Sequence, residues 1–166
     1  MRVAVFDYAP DIEPSELRTL WELSFERTTR GIAIVDARSR NVVAVNPAFA
    51  RMHGGAVGDF VNKPLDESLT PERAAALPGL AAELDRTGFI SFESEHVRRD
   101  GTVFPVAVDV MAAHDDRGRL IYRLCWFTDL TERRALDSRR RQAERQFENA
   151  FRNAAVGMAI AELDTP

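Results

Sequence analysis

The stretch from Phe89 to Asp129 constrains the fold most, because it holds three alternating or β-branched runs joined by two short polar turns. The runs are FISFESEHVRR, TVFPVAVDVMAA and LIYRLCWFTDL. The first turn is Asp100-Gly101, a dipeptide favoured in tight hairpins, and the second is HDDRG at 114–118. Turns this short join antiparallel neighbours, so the stretch predicts three antiparallel strands.

An earlier hairpin and a short helix precede these strands. The run GIAIVDARSRNVVAVN is broken by polar turn residues and predicts two strands, over 31–36 and 41–46. Asn46-Pro47 then predicts a helix start, because the Asn46 side-chain oxygen can cap the helix and proline suits its first position. Gly54-Gly55 ends this helix, which covers 47–53.

A second helix separates the two groups of strands. Thr70-Pro71 has the same capping pattern and opens a helix over 71–86, which Pro78-Gly79 interrupts. The order is therefore two strands, short helices and three strands. It predicts an α+β domain over 31–130, in which one antiparallel five-stranded sheet carries the helices on its concave face.

Two further helices flank this core. The N-terminal arm, residues 1–30, has a possible strand at 2–8 and a helix at 16–27 with an apolar stripe. The stripe consists of Leu17, Leu20, Trp21 and Phe25. A mostly polar helix over 131–150 follows the last strand without a loop, and its apolar seam is too thin to be buried by one helix. The seam consists of Leu136, Ala143, Phe147 and Ala150.

The end of the chain repeats part of its beginning. A shift of 126 residues aligns 20–36 with 146–162, and five of these seventeen positions are identical. Both segments have the pattern of an amphipathic helix, a glycine and an alternating strand. The pattern predicts that 151–166 begins a second copy of the domain, while a coincidence of two helix–strand junctions stays the alternative.

Several motifs occur in an order that resembles a PAS domain. The first half holds Gly31-Ile-Ala-Ile-Val-Asp36, Val45-Asn-Pro-Ala-Phe49 and Met52-His-Gly54. The second half holds Arg98-Arg-Asp-Gly-Thr-Val-Phe-Pro-Val106, Asp116-Arg-Gly118 and Phe127-Thr-Asp-Leu-Thr-Glu-Arg133. The resemblance covers residues 20–133 and implies a fold that agrees with the order of elements predicted above.

The resemblance also implies a function. PAS domains are sensory and dimerising modules placed before output domains, such as histidine kinases or the GGDEF and EAL domains of cyclic di-GMP turnover. The phrase FRNAAVGMAI resembles second PAS repeats of cyclic di-GMP proteins and favours that output over a kinase. A ligand-sensing module and a ligandless dimerisation spacer both stay open. The chain itself is predicted to be non-catalytic, because no G-x-G-x-x-G, Walker loop, G-x-S-x-G or H-E-x-x-H motif occurs in it.

The end of the last strand is the expected signal relay. In similar domains the aspartate of the D-L-T motif pairs with a basic residue near the hairpin turn, which here means Asp129 with Arg98 or Arg99. Asp129 could equally cap the following helix, since DLTE has the capping-box pattern. Together with Thr131, these residues form the expected connection between the sheet and the helix 131–150.

Strand alternation predicts a ligand pocket on the concave face of the sheet. Its residues are Phe92, His96, Arg123, Cys125 and Phe127. A buried, hydrogen-bonded core histidine is the simpler interpretation of His96, as a small apolar core residue is of Cys125. The other two histidines are expected at a helix end, where His53 caps carbonyl groups, and in an exposed turn at His114.

No cofactor is predicted, although an unidentified small molecule could bind. Haem-binding PAS domains supply a histidine from the long central helix, and PERAAALPGLAAELDR contains none. Flavin-binding members carry a cysteine in an N-C-R-F helix motif and a polar side chain at the position of Phe127, whereas the single cysteine, Cys125, lies on a strand. One cysteine also excludes an internal disulfide and a cysteine-rich zinc site.

The opposite face of the sheet predicts a protein partner. Leu124 and Trp126 alternate onto it and need a cover, which the helix 16–27 could supply from the same chain or from a second one. We therefore expect a homodimer, with an output domain of the same chain as a further partner. With 22 basic and 26 acidic residues and no long apolar run, the chain is expected to be cytoplasmic, without nucleic-acid or membrane contacts.

Overall fold

The computed structural model describes residues 13–153, which form two compact units divided between Leu130 and Thr131. The first unit comprises α1 (Pro14–Arg27), β1 (Gly31–Asp36), β2 (Val42–Val45), α2 (Pro47–Met52), α3 (Pro71–Thr87), β3 (Phe89–Val97), β4 (Val103–His114) and β5 (Leu120–Asp129). The second contains α4 (Thr131–Asn153). The strand predicted at 2–8 and most of the predicted second repeat at 151–166 lie outside the described residues.

The five strands form one antiparallel sheet in the order β2-β1-β5-β4-β3. The last strand in the chain, β5, therefore lies at the centre, where Cys125 is opposite Ala33 on β1 and Val110 on β4. The predicted fold class, an α+β domain with an antiparallel five-stranded sheet, is confirmed. Each strand predicted between residues 31 and 130 is present, with β2 one residue shorter than predicted at each end.

Alternation along the long strands separates an inner face, which packs against the helices, from an outer face. On β4 the side chains of Phe104, Val106, Val108 and Val110 are buried, whereas the residues between them are half-buried. Phe49 on α2 and Leu84 on α3 join this core from the helices. Burying each such large apolar side chain stabilises the fold by roughly 1.5–3 kcal/mol, which fixes the register of the sheet.

Asn46 connects α2 to the edge of the sheet, and its capping role is confirmed. Its Oδ1 atom accepts hydrogen bonds from the backbone N–H of Phe49 at 2.9 Å and of Ile32 at 2.8 Å. Its Nδ2 atom donates to the carbonyls of Phe25 at 3.0 Å and Arg30 at 2.9 Å. The side chain is fully buried, so these four bonds satisfy all its hydrogen-bonding groups.

Gly31 begins β1 where the strand passes against α2. A Cβ atom at this position would lie 3.2 Å from Phe49 Cα and 3.3 Å from Phe127 Cβ. Backbone and core atoms would have to move by a few tenths of an ångström to admit a Cβ atom, so close packing favours glycine at the start of the first strand.

The helix α3 corrects one prediction. It is a single helix that passes through Pro78, although a proline within a helix costs about 3 kcal/mol. Leu80 and Leu84, which follow the proline, pack on the core, and this apolar burial favours continuing the helix. The helix ends at Gly88, whose φ of 75° is left-handed. Thr70 precedes the helix but its hydroxyl forms no capping bond, contrary to the predicted pattern.

Two 3-10 helices, at Val57–Asp59 and Leu65–Ser68, were not predicted from the sequence. Both lie in the connection between α2 and α3, which places Leu65 against the core. No helix among residues 13–153 has the length and apolar character needed to cross a bilayer.

Candidate functional site

A cavity of about 400 Å³ lies between α3, the second 3-10 helix and the inner face of the sheet. Its lining is mainly aliphatic and aromatic. All five residues of the predicted pocket contribute to it: Phe92, His96, Arg123, Cys125 and Phe127. The structure thus brings these side chains together on the inner face, as alternation predicted, while their binding of a ligand stays a prediction.

Charged side chains lie at the rim of this cavity rather than in its depth. Arg40 pairs with Asp66 at 2.8 Å, and both residues line the cavity. Arg123, which is half-buried, donates from Nη1 to the carbonyl of Ala37 at 3.1 Å. Arg73 also lines the cavity and is about half exposed. An apolar interior with a polar rim is typical of small-molecule sites.

His96 is hydrogen-bonded to a second buried histidine. The Nε2 atom of His53 lies 3.0 Å from Nδ1 of His96, and Nδ1 of His53 lies 3.0 Å from the carbonyl oxygen of Phe49. His53 therefore contacts a carbonyl of its own helix, as predicted, but its complete burial and its bond to His96 were not predicted. No signal in the sequence links the two residues, which lie 43 positions apart.

Aromatic rings surround the two imidazoles. Phe49 stacks on His53 with ring centroids 4.0 Å apart, and Phe104 meets the same imidazole edge-on at 5.3 Å. Phe127 contacts His96 at 5.4 Å. Burial in these surroundings lowers the pKa of His53 to about 4 and that of His96 to about 3, so both imidazoles are neutral at physiological pH.

Cys125 lies on the cavity floor and is buried. Burial raises the pKa of its thiol to about 12, so the thiolate is scarce at neutral pH. This agrees with a small apolar core residue. Among the described residues, no group of three or more histidine, cysteine, aspartate or glutamate side chains could hold a metal ion.

The predicted relay residue Asp129 pairs with Arg98. Their side chains approach to 2.7 Å, and the Arg98 guanidinium lies 3.8 Å from the ring centre of Phe104. Arg98 also donates a hydrogen bond to the carbonyl of Met52 at the end of α2. Arg99, the other predicted partner, pairs with Asp59 at 2.7 Å instead.

Thr131, the last predicted relay residue, is the first residue of α4. One residue, Leu130, separates it from the end of β5, so the strand continues into the helix without a loop, as predicted. The helix begins at Thr131 and extends to Asn153, three residues beyond its predicted end.

The predicted dimer surface is incompletely buried within the described chain. None of the residues of α1 is buried: Leu20 and Trp21 are each 52% exposed, and Leu17 and Phe25 are half-buried. The predicted lid therefore retains a large exposed apolar surface, although α1 lies against α2. On the outer sheet face, Leu124 and Trp126 are also half-buried.

The seam predicted on α4 is exposed along its length. Leu136 is 56% and Phe147 60% exposed, and Phe147 stacks on Phe151. Ala143 and Ala150 are exposed as well. Over its described length, 131–153, the helix buries none of its apolar seam.

The sheet order, the helices on one face and the cavity between them define a sensory-domain fold. The family model described as "PAS domain" matches residues 29–132, and the chain belongs to this family. A histidine kinase is among its relatives: the chain is 30% identical over 130 residues to the signal transduction histidine-protein kinase AtoS of Escherichia coli strain K12. This match covers 78% of the chain and 21% of AtoS, so the chain spans about a fifth of that relative.

Solved structures show the same fold. The PAS domain of a protein from Colwellia psychrerythraea superposes with a TM-score of 0.66 at 12% identity, covering 70% of this chain and 98% of that one. A PAS domain from a two-component sensor histidine kinase superposes with a TM-score of 0.57 at 13% identity, covering 69% and 98%. The PAS resemblance stated from the motifs is confirmed.

Proposed function

We propose that this PAS domain binds a small molecule in its cavity and that the binding changes the conformation of β5, which passes the signal to α4. The observation that carries the proposal is the apolar cavity of about 400 Å³, whose size falls in the usual range of small-molecule sites. Phe127 lines this cavity and lies two residues before Asp129 on the same strand. A ligand that moves Phe127 would therefore move the end of the strand.

Arg98 supports the second half of the proposal, because it links three elements at the end of β5. Its guanidinium contacts the last turn of α2, the Phe104 ring on β4 and the carboxylate of Asp129. The pair is less exposed than the Arg99–Asp59 pair, so its electrostatic interaction is screened less by solvent. A change on the inner face can therefore reach the start of α4 through this contact.

The relay is tested in the parent protein with two matched variants. We expect Arg98→Ala to reduce the change in output caused by ligand severalfold, because it removes the side-chain link between Asp129 at the end of β5 and the last turn of α2. Arg99→Ala removes an ion pair of equal length at the surface and should leave the response intact. Equal responses of the two variants would contradict the relay.

A histidine kinase is the output that the comparisons support better, because AtoS is one. The alternative from the sequence is cyclic di-GMP turnover by GGDEF or EAL domains, which is favoured only by the phrase at 151–160. Incubation of the parent protein with ATP or GTP distinguishes the two: phosphorylation of a histidine supports the kinase, and a cyclic dinucleotide product supports the alternative. A cytoplasmic location remains a prediction.

The ligandless spacer is the second candidate function. Native mass spectrometry of purified protein tests it, since a bound molecule adds mass that denaturation removes. Absorbance spectra test the cofactor prediction, which a haem or flavin band would contradict.

We also propose that the module dimerises through the exposed apolar surface of α1. Trp21 and Leu20 each leave half of their surface exposed, which is unusual for two neighbouring large apolar residues. Light scattering should show a dimer at tens of micromolar, and Trp21→Glu should dissociate it. Arg18→Glu on the same helix, at a strongly exposed position, is the control. A monomeric unmodified chain would contradict the proposal.

A further inference from the structure

Two polar groups on β3 occupy the cavity wall and lack protein partners. Ser94 is 5% and His96 2% exposed, and both line the cavity. Among the residues that the structure describes, none hydrogen-bonds the Ser94 hydroxyl or the Nε2 atom of His96. Neither atom is fully enclosed, since Thr70 Oγ1 is the only enclosed side-chain polar atom without a partner among the described residues, so both atoms open onto the cavity. These two groups are therefore placed to meet a polar group of a ligand.

The histidine pair determines which kind of group His96 can meet. The carbonyl of Phe49 only accepts hydrogen bonds, so Nδ1 of His53 must carry the hydrogen that donates to it. In a neutral imidazole the other nitrogen is then an acceptor, so Nδ1 of His96 must donate to Nε2 of His53. Nε2 of His96 is consequently left as an acceptor. Burial keeps both rings neutral, which preserves this arrangement.

We propose that the cavity recognises a neutral, mainly apolar molecule with a hydroxyl group, an alcohol or a phenol, that donates a hydrogen bond to Nε2 of His96. The Ser94 hydroxyl, two residues away on the same face, can donate to the oxygen of the same group. An ether offers no donor to His96, and a carboxylate offers only acceptors. This inference rests on the proposed function, because it names the ligand class of the same cavity.

Arg123 is the competing recognition point, since a guanidinium could bind a carboxylate. It pairs in register with Ala112, whereas Ser94 pairs with Val106, six residues along β4. At about 3.3 Å per residue the two backbone positions are about 20 Å apart, and the Arg123 guanidinium is held at the far end by the Ala37 carbonyl, so a ligand of eight carbons reaches one of the two groups and not the other. The two modes of recognition are therefore separable with short probes.

The first test measures binding of 1-octanol, 1-methoxyheptane and octanoate to the chain at pH 7.5 by calorimetry. These probes have similar apolar lengths and differ in their polar group. We expect 1-octanol to bind about tenfold more tightly than the ether, which is the usual effect of one hydrogen bond and an unpaired acceptor. Octanoate should bind more weakly than 1-octanol.

Matched serine variants locate the hydroxyl. Ser94→Ala should weaken 1-octanol binding about fivefold and ether binding less, because the Ser94 hydroxyl can donate to either oxygen but only the alcohol is also held by His96. Ser91→Ala on the outer face of β3, where the hydroxyl donates to Asp109, should change neither. If octanoate binds most tightly and Arg123→Gln abolishes its binding, recognition occurs at Arg123 and the proposal is overturned.

The binding results distinguish recognition of a hydroxyl group from ligand binding by the cavity. Equal binding of 1-octanol and the ether overturns hydroxyl recognition while a ligand-binding cavity stands; binding of none of the three overturns both. A measurement without ligand completes the test: long-range proton–nitrogen NMR spectra should show the hydrogens on Nδ1 of both His53 and His96. A hydrogen on Nε2 of His96 overturns the proposal whatever binds.

Discussion

Acidification from pH 7.5 to 5 should destabilise the first unit through its two buried histidines. His53 and His96 are 0% and 2% exposed, and burial lowers their pKa values from 6.5 to about 4 and about 3. A group whose pKa is lower in the folded state is protonated first in the unfolded chain. The stabilisation is therefore fully present above pH 6.5 and is lost as the pH falls toward the folded values.

The magnitude follows from proton linkage. At pH 5 each histidine is almost fully protonated when unfolded and almost unprotonated when folded, so each lowers the free energy of unfolding by about 2 kcal/mol relative to pH 7.5. Together they remove about 4 kcal/mol, a large part of the stability of a typical domain. The carboxyl groups with perturbed pKa values, such as Asp36 and Asp109, have lowered values and therefore titrate below this range.

Urea unfolding monitored by circular dichroism measures this effect at several pH values. Between pH 5 and 6, the slope of the free energy of unfolding against pH should correspond to nearly two protons taken up on unfolding. His96→Gln should reduce this slope to about one proton, because only His53 then remains as a buried neutral imidazole. Equal stability of the unmodified chain at pH 7.5 and 5 would refute the assignment of two buried neutral imidazoles.

Three further predictions concern single positions. Asn46→Ala removes four hydrogen bonds to backbone groups and should lower the free energy of unfolding by about 3 kcal/mol or more, whereas the exposed Asn149→Ala should change it by less than about 0.5 kcal/mol. Cys125 should react with iodoacetamide at pH 8 only after unfolding, and rapid modification of the folded chain, measured by mass spectrometry, would contradict its burial. Gly79→Ala in the open middle of α3 should raise the melting temperature, because alanine favours helix by about 1 kcal/mol, whereas Gly31→Ala should lower it through contacts with the core.

Strand alternation explains why much of the cavity could be predicted. Successive side chains on a strand point to opposite faces of the sheet. Once the Asp100-Gly101 turn fixes the register, each residue of β3 and β4 can therefore be assigned to one face. His96 and Phe92 were placed on the inner face in this way, and both line the cavity. The same alternation along the last strand predicts that Cys125 lies on the inner face.

The remaining features depend on contacts between distant segments. His53 follows the last residue of a short helix, where the sequence indicates only a capping role, and its bond to His96 exists because the fold brings α2 against β3. Likewise, the pattern of Pro78-Gly79 favours a helix break, and only the packing of the following turns on the sheet reverses that local preference. Neither contact can be predicted from the local helix or strand propensity of the sequence.

The central position of β5 has a consequence for biosynthesis. Because β5 joins β1 to β4, a nascent chain that ends before Leu120 holds two separate hairpins with no strand between them. Isolated two-stranded hairpins are marginally stable in water, so the domain should not fold until its last ten residues have left the ribosome. Folding is then a late, concerted event with many non-local pairings, and it begins only after the last strand has been translated.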